Sequence, residues 1–328
     1  MSILPKPKPK PLRVVIVSPA LAAANNGNWQ TAQRYARLLK AHCRVRIVQQ
    51  WDGNVQDEVM IALHARRSYA SIAAWHAQRG SRGLVVVLTG TDLYRDIQSD
   101  SEAQQSLGWA HTLMVLQSEG MHAVPEAHRH KAVVAFQSTT TRKTLPKTKR
   151  FLRAIMVGHL RPEKAPRTFF KVARLLNGHG DIHLQHVGGE HDPALASEAH
   201  QTARVCPHYV FLGARAHEAT RRLIQRAHVL VHPSVMEGGA HVVMEAICSG
   251  VPVIASRIPG NEGMLGSDYA GLFSTDDADA LAHLLLRVRH DPAFYARLSE
   301  QCALRAPLFA PAREQECLIT IVQQSIST

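Results

Sequence analysis

The chain has 328 residues, enough for two domains of ordinary size or one large α/β domain. With 45% hydrophobic and 20% charged residues it has the composition of a folded globular protein, which excludes wholesale disorder and collagen-like repeats. Thirty-eight Lys and Arg against 26 Asp and Glu give a formal charge of +12, so anions are the expected partners, while 5% aromatic content poorly supplies a stacking platform for single-stranded nucleic acid.

Residues 1–11, MSILPKPKPKP, read as an extended, disordered Lys/Pro tail without the apolar stretch of a secretory signal. A buried-strand pattern follows at Leu12–Val17, then an Asn/Gly-rich loop at 25–28, a helix over Trp29–Leu39 and a strand over Val45–Val48. The alternation continues: helix Ser68–Gln78, strand Leu84–Leu88, helix Glu102–Trp109, strand Thr112–Leu116, a short helix after Ser118, strand Ala132–Phe136. Residues 138–150 (STTTRKTLPKTKR) carry no periodicity and are polar and basic, so 141–151 reads as an interdomain linker. Beyond it the pattern restarts with strands at Ala154–Val157, His183–Val187, Val210–Leu212, Val229–His232 and Val253–Ala255. Helices at Pro166–Leu176, Ala194–Thr202, Ala216–Arg226, Ala240–Ser249 and Ala278–Arg289 separate or follow them. This is an α/β chain of two Rossmann-like, doubly wound domains, 12–140 and 152–310, expected to face a central cleft. The last segment, 311–328, is an amphipathic helix expected to pack back on the first domain.

No apolar run approaches the ~18–20 residues of a membrane-spanning helix, so no stable membrane association is expected. Five scattered cysteines, Cys43, Cys206, Cys248, Cys302 and Cys317, never in C-x-x-C spacing, fit a reducing, cytoplasmic setting.

The residues richest in chemistry are 232–256, HPSVMEGGAHVVMEAICSGVPVIAS. Glu237 follows a strand and a Pro-Ser turn, and Gly238-Gly239 lets a ligand approach the backbone closely. A helix starting at Ala240 and His241 would offer free N–H groups and a positive dipole end to a pyrophosphate. Glu245, on the second turn, has the chemistry to accept two hydrogen bonds from a ribose diol, and Glu237 to face a sugar. Taken alone, Glu237 reads equally well as a helix cap and Glu245 as a solvated helix residue.

This segment resembles the signature of the two-domain (GT-B) nucleotide-sugar glycosyltransferases, in particular the large retaining family with two glutamates separated by seven residues. VGHLRPEKAP (157–166), HLQHVGGE (183–190), VFLGARAHEATRRLIQRAHVLVHPS (210–234) and GVPVIASRIPGNEG (250–263) are similar to further family segments. The resemblance implies that Glu245 binds the donor ribose, Glu237 the transferred sugar, and Gly213 with Leu212 the base. Lys164 would neutralise the pyrophosphate as the nucleoside diphosphate leaves. Where the family usually has an arginine this chain has His159, with Arg161 two residues on as the substitute. Cations suffice for a diphosphate leaving group. No metal and no cofactor beyond the substrates are therefore expected, and Asp277-Ala278-Asp279 reads as a helix cap rather than a metal-binding D-x-D.

In the first half, NNGNWQTAQRYARLL (25–39), LTGTDLYRDI (88–97) and LQSEGM (116–121) stand out. The family often places a histidine where this chain has Thr89, before Gly90-Thr91-Asp92. Its absence removes the usual general base and points to an acceptor that is already an anion. These segments most resemble the selenosugar synthases within the superfamily. That implies transfer of a sugar from UDP-GlcNAc or UDP-Glc to selenophosphate, with Asn28, Thr91, Arg95, Gln117 and Ser118 as acceptor-binding candidates. Small molecules, not nucleic acid, are the implied partners. A glycosyltransferase acting on a sugar, lipid or small-molecule hydroxyl is the alternative. The oligomeric state is left open by the sequence.

Overall fold

The computed structural model describes residues 10–19 and 27–327. The rest of the Lys/Pro tail and residues 20–26 of the Asn/Gly loop lie outside the described residues. Among the described residues, twelve strands in two six-stranded, wholly parallel sheets organise the chain.

The first sheet holds β1 (Leu12–Val17), β2 (Cys43–Val48), β3 (Val59–Leu63), β4 (Leu84–Leu88), β5 (Thr112–Val115) and β6 (Ala132–Val134), in the order β2-β1-β3-β4-β5-β6. The second holds β7 (Leu152–Val157), β8 (Ile182–Val187), β9 (Tyr209–Phe211), β10 (Val229–His232), β11 (Val253–Ser256) and β12 (Leu272–Phe273), in the order β12-β11-β10-β7-β8-β9. The second is the dinucleotide-binding order, with its winding reversed between β7 and β10. The first is the other common doubly wound order, reversed between β1 and β3. Ligands bind such sheets beyond the carboxyl ends of the strands at the reversal.

Inner strands such as β3 and β4 form where the sequence is continuously apolar, because parallel strands are covered on both faces. All five residues of β4 (LVVVL) and all five of β3 (VMIAL) are buried. At about 1.5–3 kcal/mol for each large aliphatic side chain buried, these short runs are major stabilisers. β3 is absent from the predicted elements. A five-residue apolar run containing Met and Ala has neither alternation nor strong β-branching to announce it. The helices Pro259–Leu265 and Pro292–Arg305 and the two-residue β12 are also absent from the prediction. Helix starts are set by carboxylates: Asp100, Asp192, Asp277 and Asp291 each accept a backbone N–H from the first turn that follows.

The chain separates into two compact units. One comprises Met1–Leu116, Val124–Ala135 and Glu314–Thr328, the other Gln117–Ala123 and Phe136–Arg313. In the first, Leu318, Ile321 and Val322 of the final helix, Pro311–Ile326, join Val14, Ile16, Ile61 and Val87 in one core. The buried pair Arg34–Glu314, 3.0 Å apart, ties that helix to helix Gly27–Leu39.

The predicted linker, 141–151, is not a free connector. It is an extended strap laid over the second unit. Arg142 N–H donates to Cys248 O at 2.8 Å and its guanidinium pairs with Glu218. Just before it, Arg221 grips the Thr140 carbonyl at 2.8 Å, and Lys147 Nζ donates to Gln225 O at 2.6 Å. The strap's contacts with the second unit are made one at a time, as by the Arg142 backbone and the Lys147 side chain, which leaves no periodicity to read.

Candidate functional site

In the second unit the strands at the reversal, β7 and β10, deliver Lys164 and Glu237. Beyond β7 the chain turns sharply at Gly158 and lies against Gly188, where any Cβ would collide with the Gly158 carbonyl. His159 locks this turn. Its Nδ1 accepts the Gly189 N–H at 2.9 Å, and Leu160 N–H donates to Gly189 O at 2.9 Å. Burial, helped by His191, Arg161 and Lys164, pulls the His159 pKa down to about 4. The ring is neutral at neutral pH, so His159 is a staple of the loop and does not supply the missing arginine's charge. Arg161 is exposed and, among the described residues, has no ion-pair partner. It leads into the single turn Pro162–Lys164, which ends at Ala165 with φ 45°, a left-handed conformation for a residue other than glycine.

Lys164 Nζ lies 2.5 Å from Glu237 Oε1. The carboxylate side chain is only 11% exposed. Burial by itself would raise its pKa, but Lys164 and His232 outweigh burial and hold it below the usual carboxylate range. His232 Nε2 is 3.2 Å from the same oxygen without hydrogen-bond alignment. The Glu237 backbone is held by helix Pro259–Leu265, whose Gly260 comes so close that a Cβ there would strike the Glu237 carbonyl. The Val235 N–H donates to Glu163 O at 2.9 Å, joining the two loops that carry the pair.

Glu245 sits on helix His241–Ile247 and is not a solvated residue; its side chain is 6% exposed. Its Oε1 lies 2.6 Å from His217 Nε2 and 3.9 Å from Arg221 Nε. Arg221 is itself fixed by two bonds to Thr140, at 2.9 and 2.8 Å. His217 was not legible as a site residue; only its place at a helix start after β9 marks it. Gly238 and Gly239 form the bend between Glu237 and the helix, with His241 at the first helical position. The Ala240 N–H is already engaged, 3.2 Å from Met264 Sδ, so it is not one of the free helix-start donors the sequence suggested. Gly213, at φ 66°, accepts the Gly188 N–H through its carbonyl at 3.1 Å, while Leu212 N–H donates to His186 O at 2.8 Å. Asp277 accepts the Ala280 N–H at 2.8 Å, as a cap does, and among the described residues no three His, Cys, Asp or Glu side chains gather as metal ligands.

In the first unit the reversal lies beside β3, and the residue after it is His64. It is buried, 2% exposed, and held at φ 74°. Its Nδ1 accepts Arg67 N–H at 3.3 Å, which assigns the proton to Nε2, 3.1 Å from Thr91 Oγ1. Burial lowers its pKa despite Asp92 and Asp96 nearby. Asp92 is the anchor of the Thr89–Asp92 turn: it accepts N–H groups from Thr89 (2.8 Å), Gly90 (3.0 Å) and Ala65 (2.9 Å). Asp96 takes one Nε–H from Arg95 and another from Arg66, each at 3.0 Å, while both arginines stay substantially exposed. Arg95, a sequence candidate for the acceptor, is thus already paired with a carboxylate. Arg66 is its unforeseen twin, hidden because β3 was.

The other acceptor candidates divide. Asn28 lies within helix Gly27–Leu39, in its first turn, rather than in a loop. Gln117 is fully buried and turns its Oε1 to the Gly120 N–H at 3.1 Å. Ser118 is exposed, 3.4 Å from Gly263 O. Gln117 and Ser118 belong to the second unit, not to the first with Thr91 and Arg95.

Residues 137–305, more than half of the 328, match the family of glycosyl transferases group 1, and the chain belongs to that family. Its fold is the GT-B fold. Sucrose-phosphate synthase from Thermosynechococcus elongatus is 16% identical with a TM-score of 0.75, over 95% of this chain and 98% of that one. HepE from Anabaena, solved with UDP and glucose, is 15% identical with a TM-score of 0.73, over 95% and 100%. The pneumococcal O-GlcNAc transferase GtfA, solved with UDP and GlcNAc, is 14% identical with a TM-score of 0.67, over 83% of this chain and 58% of that one. No helix among the described residues is long and apolar enough to cross a membrane. All five cysteines are free thiols, four of them buried.

Proposed function

We propose that this glycosyltransferase moves a sugar from a UDP-sugar to selenophosphate, forming a C–Se bond. The observation that carries the donor half is the 2.5 Å Lys164–Glu237 pair at the reversal of the second sheet, with Glu245 buried one helix turn beyond. Similarity to proteins solved with UDP supports the nucleotide. In this reading the Glu245 carboxylate takes the ribose diol and Glu237 the sugar hydroxyls. Lys164, with Arg161, meets the negative charge that grows on the leaving diphosphate.

The acceptor half rests on the first unit. Both nitrogens of His64 are engaged, Nδ1 by an N–H and Nε2–H by Thr91, so this neutral imidazole has no lone pair with which to deprotonate an alcohol. An acceptor that arrives ionised needs no base. It needs donors, and Thr91 Oγ1 with the exposed ends of Arg66 and Arg95 supplies them. The selenium attacks the anomeric carbon as the bond to the β-phosphate oxygen breaks and UDP departs. Water then cleaves the P–Se bond to release phosphate and the selenosugar.

The test is direct. The protein is incubated with UDP-GlcNAc or UDP-Glc, with and without selenophosphate, and products are analysed by mass spectrometry. A sugar bearing the selenium isotope pattern, together with UDP, is the expected product. Glycosylation of an alcohol with no selenium product overturns the acceptor assignment and leaves a hydroxyl-directed transferase.

A further inference from the structure

Three cations of the 142–153 stretch, Lys147, Arg150 and Arg153, lie away from the donor residues. They gather at the opposite end of the strands, where β7 begins at Leu152 and β10 at Val229. There Leu145, Pro146, Lys147, Thr148, Arg150, Phe151, Arg153, Arg226 and His228 line a cavity of about 350 Å³. Four of these carry positive side chains and none is acidic. Among the described residues no carboxylate lies within ion-pair distance of Lys147, Arg150, Arg153 or Arg226. Asp181, the nearby acid, is spent on Arg289 at 2.5 Å.

The four cations differ in how they are held. Lys147 Nζ is fixed on the Gln225 carbonyl at 2.6 Å, and Arg153 lies over the Phe151 ring with its Nη1 3.3 Å from Arg226 O. Arg150 and Arg226 are exposed and make no side-chain bond among the described residues. His228 is committed through both nitrogens, to Arg153 N–H and Thr148 O, and so contributes no charge. Burial, with Arg153 beside it, draws the Lys147 pKa down to about 8. Like charges thus crowd a concave, partly desolvated space with no counter-charge, and an anion there relieves repulsion as well as gaining hydrogen bonds.

We infer that this cavity is a second anion site, distinct from the donor residues, for a small soluble molecule bearing two or more phosphate charges. Two features favour a solute over a lipid surface. The cations line a concavity rather than a face, and Leu145, Pro146 and Phe151 give it an apolar wall suited to an organic phosphate.

Pyrophosphate is the probe. It is titrated by calorimetry at low salt into the full chain, into Lys164→Ala, which removes the donor-site cation, and into a double variant, Arg150→Ala with Arg226→Ala, made in that Lys164→Ala background; Arg150 and Arg226 are exposed, so their removal spares the fold. Binding is expected to persist in Lys164→Ala and to weaken at least tenfold in the double variant, two charge-assisted bonds being lost. Lys147→Ala should weaken it likewise. Pyrophosphate binding that is absent in Lys164→Ala, or unchanged in the double variant, overturns the proposal. Sedimentation with phosphatidylglycerol vesicles that depends on Arg150 and Arg226, without pyrophosphate binding, overturns it in favour of a lipid headgroup. These readouts do not involve UDP-sugars, so failure here is distinguishable from failure of the donor assignment.

Discussion

Both units carry buried carboxylates beyond the ends of their strands, and two of these, Asp92 and Glu237, are held in different ways. Asp92 in the first unit is surrounded by backbone N–H groups from its own turn and from Ala65. Glu237 in the second is balanced by a lysine that approaches from another loop, and Glu245 meets His217 and, at 3.9 Å, the Arg221 guanidinium from another helix. A carboxylate tied to fixed amides holds a turn together and has nothing left for a ligand. One balanced by side-chain cations can share or exchange those partners when a charged ligand arrives. Carboxylate burial alone therefore does not mark a binding residue; the nature of its partner does.

The largest effect that would sharpen this contrast is on turnover. Lys164→Ala should lower the rate of UDP release from the donor by about 10²–10³-fold, the scale of losing one preorganised group that stabilises transition-state charge. Steady-state kinetics at saturating donor would show it as a fall in kcat. A change confined to KM would mean that Lys164 only binds.

Next comes stability. Asp92→Asn keeps an acceptor for Thr89 and Gly90 but sets an amide NH2 against the Ala65 N–H and removes the charge, and should lower the unfolding free energy by about 3 kcal/mol. Glu237→Gln should cost less, about 1–2 kcal/mol, because the partly exposed Lys164 left behind can be rehydrated, while activity is lost. Urea denaturation of both variants checks the pair. Equal losses would break the distinction between anchor and ligand-ready carboxylates.

The smallest effect concerns pH. His159 and the fully buried His186 both sit at about 4 in the folded chain, through burial first. The unfolded imidazole titrates near ~6.5, so between about pH 6.5 and 4 the unfolded chain binds the extra protons and stability falls with falling pH. Above that window neither group contributes a slope. For His186 the loss reaches about 3 kcal/mol, and for the partly exposed His159 less. The depressed Glu237 carboxyl adds to the decline only below about pH 4.3, where an unfolded glutamate begins to protonate. Urea midpoints from pH 8 to 5 should trace the decline, and His186→Gln should flatten it.

The second unit was far more legible in the sequence than the first. Its strand-loop-helix segments carry the resemblance to a glycosyltransferase family, so Lys164, Glu237 and Glu245 could be singled out before any geometry was known. His159 could not be read correctly, because only the fold brings Gly189 to its ring. In the first unit the unannounced strand β3 concealed His64 and Arg66 together. Gln117 was singled out for its polar side chain although its own turn consumes it. Contacts made at a distance, such as His217 on Glu245, leave no local pattern.

The final helix has a consequence for biosynthesis. Leu318, Ile321 and Val322 complete the core of the first unit, whose other strands end at Val134. Translation proceeds at ~5–20 residues per second, so roughly 10–40 s pass between those two points. Throughout that interval the nascent first unit presents an open apolar groove, while the second unit, emerging later, has its own core in hand before the last helix exists. The part made first is the part finished last. A holding chaperone has its natural substrate in that groove, and a chain halted near residue 313 leaves it exposed.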